Sequence, residues 1–324
     1  MGEGREGFRS ESTVSFVPRQ RDVMRLVIGF SPGSASDFVA RLLLPELAQR
    51  VGEAIVMERI PGENGALAAR KVAAAEPDGR TILLATLGTH ALAPHFAPAP
   101  GYDPMRDFEP VFLVARAPLV LGCHPALGIT SVPALMNAAR AGQLTFGSSA
   151  VGGAPHLAGE LFNAMAHVSM RHAPYARTEE LYHDLERGRI GLSFNNIMSM
   201  APRIRCGRLT GIAVTTRERT QLLPELPALA ECGLPEYEVT NWLGIVAPPG
   251  TPPDVLDSLN TEIGAALAAD GVGDALRRSG MERCGGSRAD FSVHLARELA
   301  RWKPVVSRFT SRRSGQRVQR EEAE

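Results

Sequence analysis

The chain has 324 residues, more than one hydrophobic core of ordinary size accommodates, so two lobes are expected. Its 35 lysines and arginines balance 35 aspartates and glutamates, which excludes a general electrostatic attraction to nucleic acid or to an anionic membrane surface. No apolar run reaches the roughly 18 residues of a transmembrane helix, so no direct membrane insertion is expected.

The first predicted unit is a strand, a loop and a helix. The apolar run 24–30 is typical of a buried strand, and residues 31–37 form the loop. The helix that follows carries apolar residues on one face, namely Val39, Leu42, Leu43 and Leu47. Pro45 lacks a backbone donor, so we expect this helix to kink or to end early there.

Strands and helices continue to alternate along the chain. The further strands are predicted at 54–58, 81–86, 144–148, 169–172, 190–194 and 209–215. The further helices are predicted at 66–75, 132–140, 155–166, 178–187 and 198–205, with two or three more after residue 253. This alternation predicts the α/β class, in which helices cover both faces of parallel sheets.

Two extended segments, 111–123 and 237–246, are expected to connect the lobes. We place the first crossing at Pro118 and the second within 238–244. The predicted division is 24–117 with 245–310 for lobe 1, 118–244 for lobe 2, and disordered polar ends at 1–23 and 311–324. Two crossings form a hinge, so a ligand is expected between the lobes.

Three loops share one design, in which a strand ends in glycine, serine or threonine residues that lead into a helix. They cover 31–37, 86–90 and 148–156. The first N–H groups of a helix and the positive end of its dipole suit a carboxylate or a phosphate. Because such loops border the ligand crevice of open α/β sheets, we expect an anion there.

Several polar residues near these loops have two interpretations. His90 and His156 either donate a hydrogen bond to an anion or bond to nearby backbone. Asp37 either stabilises a helix start or meets a ligand hydroxyl or amine. Asn195, after a predicted strand, offers an amide donor at the cleft rim or belongs to a turn. Tyr175 either contacts ligand or packs in the protein.

Catalytic and metal-binding patterns are absent from the sequence. Ser149 lacks the flanking glycines of a nucleophile elbow, and no phosphate-loop motif occurs. The cysteines lack zinc spacing and are expected as free thiols, at Cys123, Cys206, Cys232 and Cys284. We therefore expect no metal, no cofactor and no enzyme activity. An α/β hydrolase or transferase would need Ser149 and His156 as nucleophile and base.

Eight segments in collinear order resemble the substrate-binding proteins of tripartite tricarboxylate transporters, the TctC or Bug family. The resemblance covers residues 25–306. The segments are RLVIGFSPGSASDFVARLL, ERIPGENGALAARKVAAAEPDGRTILLATLGTHALAP, YDPMRDFEPVFLVA, LTFGSSAVGGAPHLAGELF, RHAPY, GRLTGIAVTT, LPALAECGLPEYEVTNWLGIVAPPGTP and ARWKPVV.

The resemblance implies a periplasmic type II binding fold that captures a small organic acid, without a cofactor, and delivers it to membrane permease subunits. We expect a monomer. The ligand contacts implied by position in lobe 1 are Phe30, Ser34, Ala35, Asp37 and His90. Those implied in lobe 2 are Ser149, Gly152, Gly153, His156, Tyr175 and Asn195.

Three positions depart from the usual pattern of this family. Ser34 stands in place of a glycine and adds a hydroxyl group, and Arg177 stands where glycine is frequent. An arginine there would pair with a second ligand carboxylate or point to solvent. Asn195 replaces a frequently acidic residue, which disfavours an amine-bearing ligand. These departures favour a di- or tricarboxylate over an amino acid.

The polar segment 1–23 lacks the apolar region of a secretory signal, although the resemblance implies a periplasmic protein. Either the start site is altered or misassigned, or the protein stays in the cytoplasm. The second case corresponds to a carboxylate sensor that signals to a partner.

Overall fold

The computed structural model describes residues 23–96, 98–142, 144–149 and 151–321. The strands in these ranges are β1 (Met24–Ile28), β2 (Ile55–Arg59), β3 (Thr81–Thr86), β4 (Glu109–Cys123), β5 (Thr145–Ser148), β6 (Arg171–Pro174), β7 (Leu192–Asn196), β8 (Thr210–Val214), β9 (Thr240–Ala247) and β10 (Glu282–Arg283). The α-helices are α1 (Ala35–Val51), α2 (Ala66–Ala73), α3 (Val132–Ala141), α4 (Ala154–Ala166), α5 (Thr178–Glu186), α6 (Ile197–Arg205), α7 (Pro253–Ala268), α8 (Asp270–Arg278) and α9 (Arg288–Glu321).

The first lobe is built on strands β1, β2 and β3, which run parallel, in the order β2-β1-β3. Strand β9 pairs antiparallel with β3 and continues the sheet. Leu26 and Ile28 pack in one buried cluster with Leu43 of α1, whereas Val27 packs in another cluster with Val72 of α2. Both faces of this sheet are therefore buried under helices, as an apolar run without alternation predicts.

The second lobe is built on strands β5, β6 and β7. Strand β5 runs parallel to both β6 and β7. Strand β7 pairs antiparallel with β4, which also pairs with β8. The helices α4 and α5 connect these strands, so the second lobe repeats the α/β design of the first.

Strand β4 passes from one lobe to the other. Its residues 109–118 pair with β9 in the first sheet, and its residues 119–123 pair with β7 in the second. The chain returns between β8 and β9, and β9 already joins the first sheet at Thr240, a few residues before the predicted boundary at residue 244. The predicted two-lobed α/β fold with a hinge of two crossings is confirmed.

Helix α1 continues through Pro45, so the expectation of an early end there is wrong. Leu43 and Leu47 are both fully buried on either side of the proline. Their burial outweighs the loss of one backbone hydrogen bond. The helix instead ends at Gly52, which adopts the left-handed conformation with φ 70°.

The ends of the chain carried predictions of disorder. Helix α9 continues to Glu321, so the backbone is helical through most of 311–324, and residues 322–324 lie outside the described part. Residues 1–22 of the N-terminal segment also lie outside it. Within the described ranges, no helix is long and apolar enough to cross a membrane.

Candidate functional site

The loops after β1, β2 and β3 meet at one edge of the first sheet because these strands are parallel. A β-carbon on Gly65, in the loop after β2, would lie 2.7 Å from Thr89 and 3.3 Å from the ring of Phe30. The three loops are thus in close contact, and only glycine fits at position 65. Phe30, a predicted ligand contact, lies half-buried at this edge.

Ser34 and Ala35 form the start of helix α1. The Ser34 hydroxyl accepts a hydrogen bond from the backbone N–H of Asp37 at 3.2 Å, so it caps the helix. Ala35, the first residue of the helix, is buried. The serine that departs from the family's usual glycine therefore has a structural role in this chain.

The carboxylate of Asp37 is buried and fully engaged within the first lobe. One oxygen accepts hydrogen bonds from Arg59, and the other accepts from the N–H of Gly33 at 3.1 Å and from Arg41 at 3.0 Å. Burial alone would raise the pKa of Asp37, but the hydrogen bonds from Arg59, Gly33 and Arg41 outweigh it and lower the pKa. Asp37 is ionised and anchors the loop that precedes it.

His90, predicted in the loop after β3, lies in a single π-helical turn, Gly88–Leu92. Its ring is fully buried against Tyr102 and Phe108. Burial lowers the pKa of His90 to about 3, so the imidazole is neutral. Its Nδ1 lies 2.9 Å from the Thr89 hydroxyl, and its Nε2 has no hydrogen-bond partner among the described residues.

Three predicted contacts of the second lobe meet at the carboxyl edge of its sheet. Ser148 is opposite Pro174 in the ladder of β5 and β6, and Gly147 is opposite Ser193 in that of β5 and β7. Ser149 directly follows the end of β5, Tyr175 directly follows the end of β6, and Asn195 is the penultimate residue of β7.

Asn195 lies inside strand β7, so the expectation that it follows a strand is wrong. The strand extends two residues further than its apolar run because Asn195 and Asn196 pair with Val120 and Leu119 of β4. Asn195 is 3% exposed, and its Oδ1 accepts the N–H of Asn196 at 2.8 Å. Its Nδ2 is a buried donor without a partner in the described structure.

The loop that joins β5 to α4 contains Gly152, Gly153 and, in the first turn of the helix, His156. Gly152 is buried with φ 80°, and its N–H donates to Nδ1 of His156 at 2.9 Å. Nε2 of His156 lies 3.8 Å from Glu160. Nδ1 of His156 thus accepts from backbone and Nε2 faces a carboxylate of its own helix, which gives no support to its pairing with Ser149 as a catalytic base.

Tyr175 is half-buried, and its hydroxyl donates to Asp184 of helix α5 at 3.2 Å. Burial and the neighbouring Asp184 raise the pKa of Tyr175, which keeps the phenol protonated. The side chain of Arg177 is 69% exposed and lies 3.9 Å from Glu179, so it points to solvent.

The loop regions at the predicted site of each lobe lie close to each other. A β-carbon on Gly152 of the second lobe would lie 2.9 Å from the ring of Phe96, which follows β3 in the first lobe. A β-carbon on Gly33 would lie 3.9 Å from Glu179 of helix α5. The lobes are therefore close together at the predicted site.

Two cavities of about 670 and 620 Å³ lie beside the crossings between the lobes. Arg219 and Thr220 line both cavities, Trp242 lines the first, and Met281 lines the second. Neither is lined by any of the eleven predicted contacts.

The loop after β2 also belongs to this edge, although none of its residues is among the eleven predicted ligand contacts. Four consecutive residues, from Gly62 to Gly65, have positive φ, including Glu63 at 47° and Asn64 at 53°. Such strain at non-glycine residues concentrates at functional sites. Oδ1 of Asn64 is buried without a partner in the described structure. The P-G-E-N-G sequence after a parallel strand was the available signal.

Metal binding has no structural support within the described residues, where no three His, Cys, Asp or Glu side chains form a possible metal site. The four cysteines are free, and Cys123 alone of them is fully buried. Burial raises the pKa of Cys123 to about 11, so its thiol is protonated.

Comparison with known proteins adds a family and a set of relatives. The model of the TctC family, the tripartite tricarboxylate transporter family receptor, matches residues 39–310. A UPF0065 protein from the tcbD-tcbE intergenic region of Pseudomonas sp. (strain P51) is 34% identical, over 87% of this chain and 85% of its own. Protein BugT of Bordetella pertussis is 29% identical, over 87% of this chain and 88% of its own.

Solved structures agree with the fold. R. palustris Rpa4515 with adipate is 37% identical with a TM-score of 0.83, and the match covers 88% of this chain and 96% of that one. MatC (Rpa3494) from Rhodopseudomonas palustris with bound malate is 28% identical with a TM-score of 0.81, covering 88% and 98%. The chain belongs to the tripartite tricarboxylate transporter receptor family, TctC.

Proposed function

We propose that the protein is the solute-binding receptor of a tripartite tricarboxylate transporter and that its two lobes close on a small dicarboxylate. The observation that carries the proposal is the buried Nδ2 of Asn195, a donor without a partner in the described structure. An acceptor supplied by a ligand would remove the cost of burying this group unpaired, roughly 1–3 kcal/mol.

The starts of two helices supply further donors. Helix α1 begins at Ala35 in the first lobe, and helix α4 begins at Ala154 in the second. The first N–H groups of a helix have no partner within it, and the helix dipole favours an anion. Since each lobe contributes one such start, two carboxylates separated by a short chain fit the two sets of donors.

The arginines near this edge are engaged elsewhere. Arg59 pairs with Asp37, and Arg177 is exposed beside Glu179. We therefore propose that neutral donors hold the carboxylates. This supports a selectivity for dicarboxylates over tricarboxylates, because a third charge would lack a cation. Adipate is the first candidate, since Rpa4515, at 37% identity, was solved with it; MatC was solved with malate.

Adipate, malate, citrate and aspartate should be tested together by thermal shift and isothermal titration. A dicarboxylate at 100 times its dissociation constant should stabilise the protein by about 2.7 kcal/mol. Aspartate should bind weakly, because Asn195 supplies no charge for its ammonium group. Absence of binding by all acids in a broad panel would overturn the proposal.

We also propose that the receptor works in the periplasm and delivers its ligand to membrane permease subunits. Membership of a transporter receptor family supports this assignment. Fractionation of cells that express the native locus, with ligand uptake measured before and after deletion, tests it. Recovery of the mature protein only from the cytoplasm would favour the alternative of a carboxylate sensor.

A further inference from the structure

The loop between β5 and α4 is held at its C-terminal end by a buried histidine. His156 is 1% exposed, and its Nδ1 accepts the N–H of Gly152 at 2.9 Å. An imidazole nitrogen that accepts a hydrogen bond carries no proton. The contact therefore exists only while Nδ1 of His156 is unprotonated, and the proton of the neutral ring is on Nε2, 3.8 Å from Glu160.

A second histidine holds the N-terminal end of the same loop. His172, on strand β6, has its Nε2 2.8 Å from the hydroxyl of Ser148, which is fully buried. Ser148 directly precedes Ser149, the predicted ligand contact. The two histidines therefore contact Ser148 and Gly152, which lie on either side of Ser149 in the chain.

The two imidazoles are stacked on each other. Their ring centroids are 3.8 Å apart and the planes are inclined by 24°. Phe146 packs against both, with centroid distances of 6.3 Å to His156 and 5.0 Å to His172. Two positive charges at this distance would repel each other, since His156 is buried and His172 is half-buried.

Charged groups lie on several of the elements around the two histidines. Glu160, on helix α4, is the acidic group beside His156, and strand β7 has no ionisable side chain. Strand β6 carries the exposed Arg171, a further positive charge. Helix α9 also packs on α4. Its ionisable groups His294, Arg297, Glu298 and Arg301 line the first hinge cavity, where Glu298 accepts hydrogen bonds from Trp242 and Trp302. His95, next to Phe96, lies with Nε2 2.9 Å from the carbonyl of Leu299.

We propose that His156 and His172 are positioning residues that hold Gly152 and Ser148 in place while their rings are neutral, so that acidification weakens ligand binding. Protonation of His156 on Nδ1 breaks the contact with Gly152. Protonation of His172 places a cation against the ring of His156. The inference rests on the proposed function, because it concerns the same site.

Conservative variants distinguish the positioning role of each histidine from the effect of its protonation. Asparagine at 156 places its Oδ1 near the position of Nδ1, and glutamine at 172 places its amide near that of Nε2; neither side chain titrates. The control is His167→Asn, since His167 is exposed and has φ 52°, a conformation that asparagine tolerates. Adipate affinity should be measured from about pH 7.5 to about pH 5, where histidines titrate.

The native protein and His167→Asn should lose up to about tenfold in affinity per pH unit once a proton must leave on binding. His156→Asn and His172→Gln should show a flatter pH profile than the native protein, whatever their affinity at neutral pH. Equal pH dependence in all four proteins would overturn the proposal. So would an affinity that does not change with pH in the native protein.

Hydrogen exchange of the Gly152 amide tests the contact without any ligand. It should be slow in the native protein at neutral pH and in His156→Asn, and faster in His156→Leu and in the native protein at acidic pH. Unchanged protection throughout would contradict the role of His156. Since this measurement needs no organic acid, failure of the positioning role is distinguishable from failure of the proposed function.

Discussion

The carboxylate of Asp37 accepts two hydrogen bonds from the guanidinium group of Arg59, from Nε at 2.9 Å and from Nη2 at 2.6 Å. This pair joins the first turn of α1 to the end of β2. Because the second oxygen of Asp37 accepts from Gly33, the pair also fixes the loop after β1. The structure therefore favours a structural role for Asp37, one of the two interpretations that the sequence left open.

Replacing Asp37 by asparagine should lower the free energy of unfolding by about 1–3 kcal/mol. The change leaves the guanidinium of Arg59, 29% exposed, without its buried anion, and partial exposure reduces the cost below that of a fully buried pair. Urea unfolding measures the difference. Arg41→Gln, at a side chain 60% exposed, should change stability by less than about 0.5 kcal/mol. Equal stabilities of Asp37→Asn and the native protein would contradict this role.

The contribution of Asp37 should also depend on pH. Because the pKa of Asp37 is lowered in the folded protein, its stabilising effect is complete above the unfolded-state pKa of about 3.9 and decreases as pH falls through the folded-state pKa. The free energies of unfolding of the native protein and of Asp37→Asn should therefore differ by a constant amount above about pH 5. The two values should converge below about pH 4. A difference that grows with acidification would have the wrong sign.

Asn195→Asp should weaken adipate binding by at least about tenfold, or roughly 1.4 kcal/mol. The substitution keeps the shape of the side chain but exchanges a buried donor for an anion facing the ligand carboxylate. Isothermal titration at neutral pH measures the effect. Asn137→Asp makes the same chemical change at an exposed position of α3 and should leave affinity unchanged. Equal adipate affinities of the two variants would show that Asn195 does not contact the ligand.

Gly152→Ala should weaken adipate binding by about fivefold or more, roughly 1 kcal/mol. Alanine at φ 80° costs about 1–2 kcal/mol, and its β-carbon would lie 2.9 Å from Phe96 across the lobes. Gly52→Ala is the matched control, since Gly52 has φ 70° and open space around its α-carbon. Both variants should lose stability in thermal unfolding, Gly152→Ala more because of its contact with Phe96, but only Gly152→Ala should lose affinity. Loss of affinity in Gly52→Ala would indicate a general effect of destabilisation.

Local sequence patterns predicted the alternation of strands and helices well. Leu83 and Leu84 lie in an uninterrupted apolar run, and the run coincides with strand β3. The crossing at Pro118 was also predictable, because a proline in a long apolar run marks a change of partner, and β4 exchanges β9 for β7 there.

Relationships between distant residues could not be predicted in the same way. Arg59 is 22 residues from Asp37, and nothing local pairs them. The continuation of α1 through Pro45 depends on the burial of Leu43 and Leu47 against distant elements, which the local sequence does not show. The loop containing Asn64 combines positive φ values with a close approach to the loop after β3, where a β-carbon on Gly65 would lie 2.7 Å from Thr89. Local sequence does not show this approach.

The most direct test of a dicarboxylate site between the lobes is a nuclear magnetic resonance titration of the labelled protein with adipate. With a site between the lobes, we expect chemical-shift changes of the Asn195 side-chain amide and of the backbone amides of Ala35 and Gly152. Shifts confined to the hinge cavities, around Arg219 and Thr220, with an unchanged Asn195 amide, would contradict it.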